Sequence, residues 1–151
     1  MQLKKAERRF KLATRDYAQL AAFRHTLRKF LRFSEIAASR AGLTTRHYQA
    51  MLVVRGYPED RSITIAELAL HLLIKHNSAV ELVDRLVAED LLVREHSAVD
   101  RRKVQLRLTG RGRRVLAKLA EMHRRELQRI GPILKRFFAD VSRLDQRAGR
   151  A

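Results

Sequence analysis

The 151-residue chain contains no cysteine. That absence excludes disulfides, thiolate zinc sites and thiol redox switching together, and it suits a reducing cytoplasm. Glycine is scarce, with 6 residues and no Gly-rich phosphate loop among them. Serine, histidine and aspartate are present but form no nucleophile motif, so catalytic residues are not expected and the chain does not read as an enzyme. No apolar run approaches the roughly 20 residues a bilayer requires. The N-terminal "QLKKAERRFK" is charged where a signal peptide would be apolar. Neither export nor a membrane partner is expected.

What the chain has in excess is positive charge. Lysine and arginine total 33 against 16 acidic residues, a net charge of +17. A surface so charged repels itself unless a polyanion neutralises it, and nucleic acid fits that requirement best. The apolar fraction of 46 % and the length together allow a real core, and a single domain over 1–151 is expected.

Apolar periodicity sets out the elements. Tyr17, Leu20, Phe23, Leu27, Phe30, Leu31 and Ile36 fall mostly at three- and four-residue steps, which predicts one long amphipathic helix stopped near Gly42. "LTTRHYQAMLVVRG" opens a second helix capped by Thr44 or Thr45 and closed by Gly56. Thr64 with Glu67 three positions on is a capping box for a short third helix, with Ala66, Leu68, Ala69 and Leu72 inward. In a fourth helix Ala79, Leu82, Val83 and Leu86 form the apolar stripe, while His76, Asn77, Ser78, Glu81 and Arg85 lie largely off it.

The period then changes from helical to alternating. "LLVREH" and "KVQLRLT" predict two strands joined by a basic hairpin tip. A helix restarts at Thr109 to Gly112, Gly131 and Pro132 are expected to break it, and a last apolar helix follows through Ile133, Leu134, Phe137, Phe138, Val141 and Leu144 before a frayed tail. The fold class is mainly α with a small β-hairpin. Two helices across a tight turn, followed by a basic hairpin, constitute a winged helix-turn-helix, in which the second helix can enter the DNA major groove.

These residues carry a resemblance. Asp100, Arg102, Leu106, Leu108 and Thr109 meet the pattern D-x-R-x-x-x-L-x-L-T, and "LVDRL" at 82–86 and "LTTRHYQAML" upstream support it. The chain resembles the MarR family of bacterial transcriptional regulators over nearly its whole length. The resemblance implies a dimer whose first and last helices interlock, two winged domains on a palindromic DNA site, and often relief of binding by a small ligand. Where the family often has glycine and a Ser or Thr cap before the recognition helix, this chain has Leu73 and Lys75, and Asn77 is an alternative cap.

The expected division is dimerisation helices at about 10–40 and 112–145, with the winged-helix region at about 43–111. Tyr17, Leu20, Phe23, Leu27, Ile133, Leu134, Phe137 and Phe138 are the candidate dimerisation residues, because the terminal helices have more apolar surface than a small winged domain can cover. Candidate DNA-binding residues are Thr64, Lys75, His76, Asn77, Ser78, Glu81 and Arg85, with Asp100, Arg101, Arg102 and Lys103 at the hairpin tip. There Asp100 is read as a brace that orients Arg102 toward the minor groove, with its basic neighbours toward phosphates. His71 and His76 are five positions apart, which is not metal-ligand spacing on a helix, and no metal or cofactor is expected beyond an effector of unknown identity. The expected partner is double-stranded DNA at an inverted repeat, bound by a homodimeric cytoplasmic repressor. The alternative is a basic protein that coats nucleic acid without sequence choice; strands lacking aromatic residues weigh against an RNA reader.

Overall fold

The computed structural model describes residues 12–58, 63–96 and 104–148. The described elements are α1 (Thr14–Arg40), α2 (Thr45–Gly56), α3 (Ile65–Leu72), α4 (His76–Ala88), β1 (Leu92–His96), β2 (Val104–Leu108) and α5 (Gly110–Ala148). The chain divides into two compact units, one formed by 34–123 and the other by 1–33 with 124–151.

In the first unit each junction has a local cause. Gly42 takes φ 73°, a left-handed conformation that costs glycine little, and the Leu43 amide donates back to Ala38 O at 2.9 Å to close α1. Thr44 caps α2 by accepting from the His47 amide at 3.2 Å. The capping box of α3 is complete: Thr64 Oγ1 accepts from the Glu67 amide, and a Glu67 carboxylate oxygen accepts from the Thr64 amide at 2.8 Å. Leu68 and Ala69 are buried, but Ala66, expected inward, is exposed, because a helix of 8 residues turns only a narrow face to the core. The stripe of α4 is as expected, with Ala79, Leu82, Val83 and Leu86 all buried.

The strands pair antiparallel from Leu92↔Leu108 to His96↔Val104. The Leu106 amide also donates to Ile63 O at 2.9 Å, tying β2 to the entrance of α3. Met51, Ile63, Leu68, Val83, Leu86, Leu91, Leu92 and Leu106 are the largest fully enclosed side chains. Each contributes on the order of 1.5–3 kcal/mol. His123 is also buried and stacks on Tyr48 at 4.2 Å. Its Nδ1 faces Leu119 O at 2.7 Å, and a carbonyl can only accept, so Nδ1 holds the proton. Nε2 then accepts from the Ser34 hydroxyl at 2.9 Å, linking α1 to α5 within this unit.

The second unit consists of helix ends. Phe23 stacks on Phe137 at 4.5 Å, and Phe138 meets both rings edge-on. Ile130 and Thr26 are buried, and Gln19 Nε2 donates to Asp140 at 3.3 Å. Large apolar side chains nevertheless stay exposed: Tyr17 by 60 %, Phe138 by 55 % and Ile133 by 51 %.

One expectation fails here. Gly131 and Pro132 do not break the chain into two helices; α5 runs through Pro132 and continues to Ala148, well into the tail expected to fray. Proline deprives Gln128 of its backbone donor, but Gln128 is exposed and water can take that place. Gly131 has no Cβ to collide with the proline ring, which removes the usual obstacle to helix before proline.

Candidate nucleic-acid interface

The candidate site begins at the turn between α3 and α4. Leu73 sits there at φ 53°, left-handed without being glycine, and the Ile74 amide donates to Ala69 O at 3.0 Å. The turn therefore keeps the shape that glycine would make easy, at a backbone cost of roughly 1–2 kcal/mol. Its side chain contributes little to offset this, being 91 % exposed.

Lys75 is the N-cap of α4 and forms no side-chain cap hydrogen bond. Asn77, the alternative cap, lies inside the first turn instead. The leading amides of α4 are thus left without a side-chain cap at the positive end of the helix dipole, an arrangement suited to phosphate. Lys75, His76, Asn77, Ser78, Glu81 and Arg85 are all exposed. Asn77, Ser78, Glu81 and Arg85 lie off the buried stripe of α4, while Lys75 and His76 stand at its N-terminal end. Thr64 stands apart from them: its hydroxyl donates to Glu67 Oε2 at 2.8 Å while accepting from the Glu67 amide, so capping already employs it. Asp100, Arg101, Arg102 and Lys103 lie outside the described residues.

Sequence reading missed what holds this surface in place. Arg94 of β1 pairs with Asp84 of α4 at 2.6 Å, joining the hairpin to the outward-facing helix. Arg107 pairs with Glu95 across the strands at 3.2 Å. Thr109 donates its hydroxyl to Asp90 O at 2.7 Å and accepts from the Gly112 amide at 2.8 Å, while its own amide donates to Leu91 O. The threonine ending the family pattern is therefore the cap that joins the hairpin to α5. Gly112 packs so closely that an added Cβ would collide with the Leu91 carbonyl oxygen. The signal for Thr109 was its place in the pattern; nothing local marked the Asp84–Arg94 pair, whose members belong to different element types. Among the described residues no three His, Asp or Glu gather as metal ligands, and no helix is long and apolar enough to cross a membrane.

Residues 41–103 match the family model described as MarR family. The matched segment spans the winged helix, which is thus similar to the MarR family. Solved structures agree on the MarR fold beyond that segment. A MarR family protein from Bacillus stearothermophilus has a TM-score of 0.69 at 19 % identity, covering 91 % of this chain and 98 % of its own. AbsC, a MarR family transcriptional regulator from Streptomyces coelicolor, has a TM-score of 0.65 at 20 % identity, covering 90 % of each chain. A mutant of Staphylococcus aureus MepR bound to an oligodeoxyribonucleotide has a TM-score of 0.64 at 15 % identity, covering 90 % of this chain and 98 % of its own. No curated protein matches the chain.

Proposed function

We propose that the chain is a sequence-specific regulator of transcription that binds duplex DNA as a homodimer and represses. The observation that carries this reading is the two-sided α4, whose buried stripe anchors it while His76, Asn77, Ser78, Glu81 and Arg85, with Lys75 at the N-cap, are exposed. A helix so presented fits a major groove, where Asn77, Ser78 and His76 can reach base edges and Lys75 and Arg85 can reach phosphates. The match of residues 41–103 to the MarR family supports the reading, and so does the oligonucleotide bound to MepR, which is similar in fold.

The hairpin tip completes the proposal, with Arg102 in the minor groove, Asp100 bracing it, and Arg101 and Lys103 against phosphates. Thr64 acts mainly by fixing the start of α3, and any backbone contact it makes competes with its cap. The exposed apolar residues Tyr17, Leu20, Leu27, Ile133 and Phe138 are assigned to the dimer, together with the more enclosed Phe23, Leu134 and Phe137. Release by a small-molecule effector belongs to the same proposal.

Mapping the protein's binding sites across its own genome, followed by titration of the recovered sequences, tests the reading. The expected site is an inverted repeat with half-site centres about 10 bp apart. It should bind at least ~10³ times tighter than random duplex. Equal affinity for all sequences would overturn the regulator and favour the coating protein.

A further inference from the structure

The charge of the chain does not sit where the candidate groove-reading helix sits. The winged-helix unit, 90 residues long, holds 15 basic and 11 acidic residues, a net +4. The unit built from the two chain ends has 61 residues, with 18 basic and 5 acidic, a net +13. Roughly three quarters of the excess therefore lies outside the unit that contains α4 and the hairpin.

Within the end unit all ten described basic side chains are exposed, and eight are arginine. Arg24, Arg28 and Arg32 recur every four residues along α1 and so form one stripe. Like charges at that spacing repel and weaken a helix. Arg24, Arg28, Lys29 and Lys135 have no acidic residue three or four positions away on their own helices to offset this. Each unit has arginines matched to an acid, Arg94 and Arg107 in the winged helix and Arg15 and Arg129 in the end unit, so the difference lies in the excess of cations over acids and not in pairing as such.

We propose that the paired helix ends form a second, sequence-independent binding surface for the phosphate backbone of duplex DNA. The inference rests on the reading of α4 as a DNA-binding helix, because a unit tethered to bound DNA meets that polymer at high effective concentration. Arginine predominates, and its planar fork matches phosphate oxygens in two-pronged fashion. The duplex can be the flank of the operator or a second molecule, and the phosphate chemistry is the same for both.

The test compares the full-length protein with R24Q/R28Q/K29Q/K135Q and, separately, with N77A. Glutamine keeps helix propensity, and loss of like-charge repulsion should leave the thermal midpoint equal or higher, which excludes misfolding as an explanation. Affinity for a random 60-bp duplex and for the mapped operator is measured from 50 to 200 mM salt. The fourfold variant is expected to lose at least ~10-fold affinity for both, with a salt slope shallower by about 2 or more, since each neutralised phosphate contributes about 0.9. N77A is expected to lose operator affinity alone, so failure of the groove-reading assignment and failure of this one are separate results. Immobilised operator that captures a labelled random duplex through the parent protein identifies a second DNA molecule. Affinity that rises with flank length, without capture, identifies the same one. An unchanged slope and random-duplex affinity in the fourfold variant would overturn the proposal. So would loss of binding to vesicles containing 30 % phosphatidylserine with DNA binding intact, which would assign the surface to membranes instead.

Discussion

The winged-helix unit and the unit of paired helix ends are built on opposite plans. In the first, short elements are joined by specific devices: the Thr64–Glu67 box, the Thr109 cap and the Gly112 contact. Its core encloses side chains such as Met51 and Leu106 almost completely. In the second, length substitutes for devices. Its helix ends have few enclosed residues, and Leu20, Leu27, Leu31 and Ile133 remain 42–51 % exposed. A unit rich in short-range fixings can hold a recognition surface rigid by itself, whereas one with several large apolar side chains half exposed depends on what covers them.

The largest test of that contrast is a matched pair of glycine substitutions. Gly112→Ala drives a Cβ into backbone that Thr109 holds on both sides, and is expected to destabilise the winged-helix unit by ~3 kcal/mol or more. Gly131→Ala meets nothing within 4 Å beyond its chain neighbours, and the gain in helix propensity is set against the new Cβ beside the Pro132 ring, so the net change should stay within about 1 kcal/mol of zero. Denaturant titration of both variants measures the difference, and similar losses would show that the two units do not differ as described.

Side-chain truncation sharpens the same point. Leu106→Ala empties an enclosed position that is 2 % exposed and is expected to cost about 2–5 kcal/mol. Leu27→Ala, at a position 42 % exposed, should cost less than about 1 kcal/mol within one chain. If the proposed dimer covers Leu27, its effect will appear as dissociation in sedimentation at low concentration. A Leu27→Ala variant that associates as the parent does would remove this residue from the interface.

A smaller effect, of opposite sign, is expected at the turn before α4. Leu73→Gly relieves the left-handed strain while giving up a side chain that is 91 % exposed, so the net gain should be about 1 kcal/mol in thermal unfolding. A loss would mean that Leu73 packs against something after all.

The smallest effects separate the units by pH. Burial raises the Tyr48 hydroxyl above its ordinary value of 10.0 in the winged-helix unit. The unfolded chain then releases this proton first, so that unit should lose stability as pH rises above about 10, and Tyr48→Phe should remove the dependence. In the end unit the hydrogen bond from Arg129 lowers the Glu126 carboxyl below its ordinary 4.5. That contribution is present above pH 4.5 and lost as pH falls through the lowered value. The pair is exposed at Arg129, so the effect should be slight, and weaker still in high salt. Thermal midpoints of Arg129→Gln against the parent across the acid range measure it.

How much was legible follows from the range of the interactions. The α4 stripe, the Thr64 box and the alternation of Val104, Leu106 and Leu108 were all readable, because helix and strand periods are imposed by local geometry on any chain that buries one face. The Pro132 break was misread because the expectation counted the lost hydrogen bond without the compensation from Gly131 and from solvent around the exposed Gln128. The candidate site was legible as a set of outward residues on α4. What positions it was not, since Asp84 and Arg94 meet only when a helix and a strand have packed.

The sequence by itself therefore determined the order of elements up to the start of α5, the two faces of α4 and the net charge of +17. Each depends on residue identity or on neighbours within a turn or two. Only the tertiary structure decided that Leu73 would bear a glycine-like turn, that Thr109 would cap α5 against the Asp90–Leu91 segment, and that Gly112 would have no room for a methyl group. It also separated the charge into a nearly balanced winged-helix unit and a strongly basic one. The Leu73 turn is closed by Ala69 and Leu70 within one helical turn, but the other three share a reason: each depends on residues distant in the chain meeting in space, and separation along the chain carries no record of which of many compatible pairs will close.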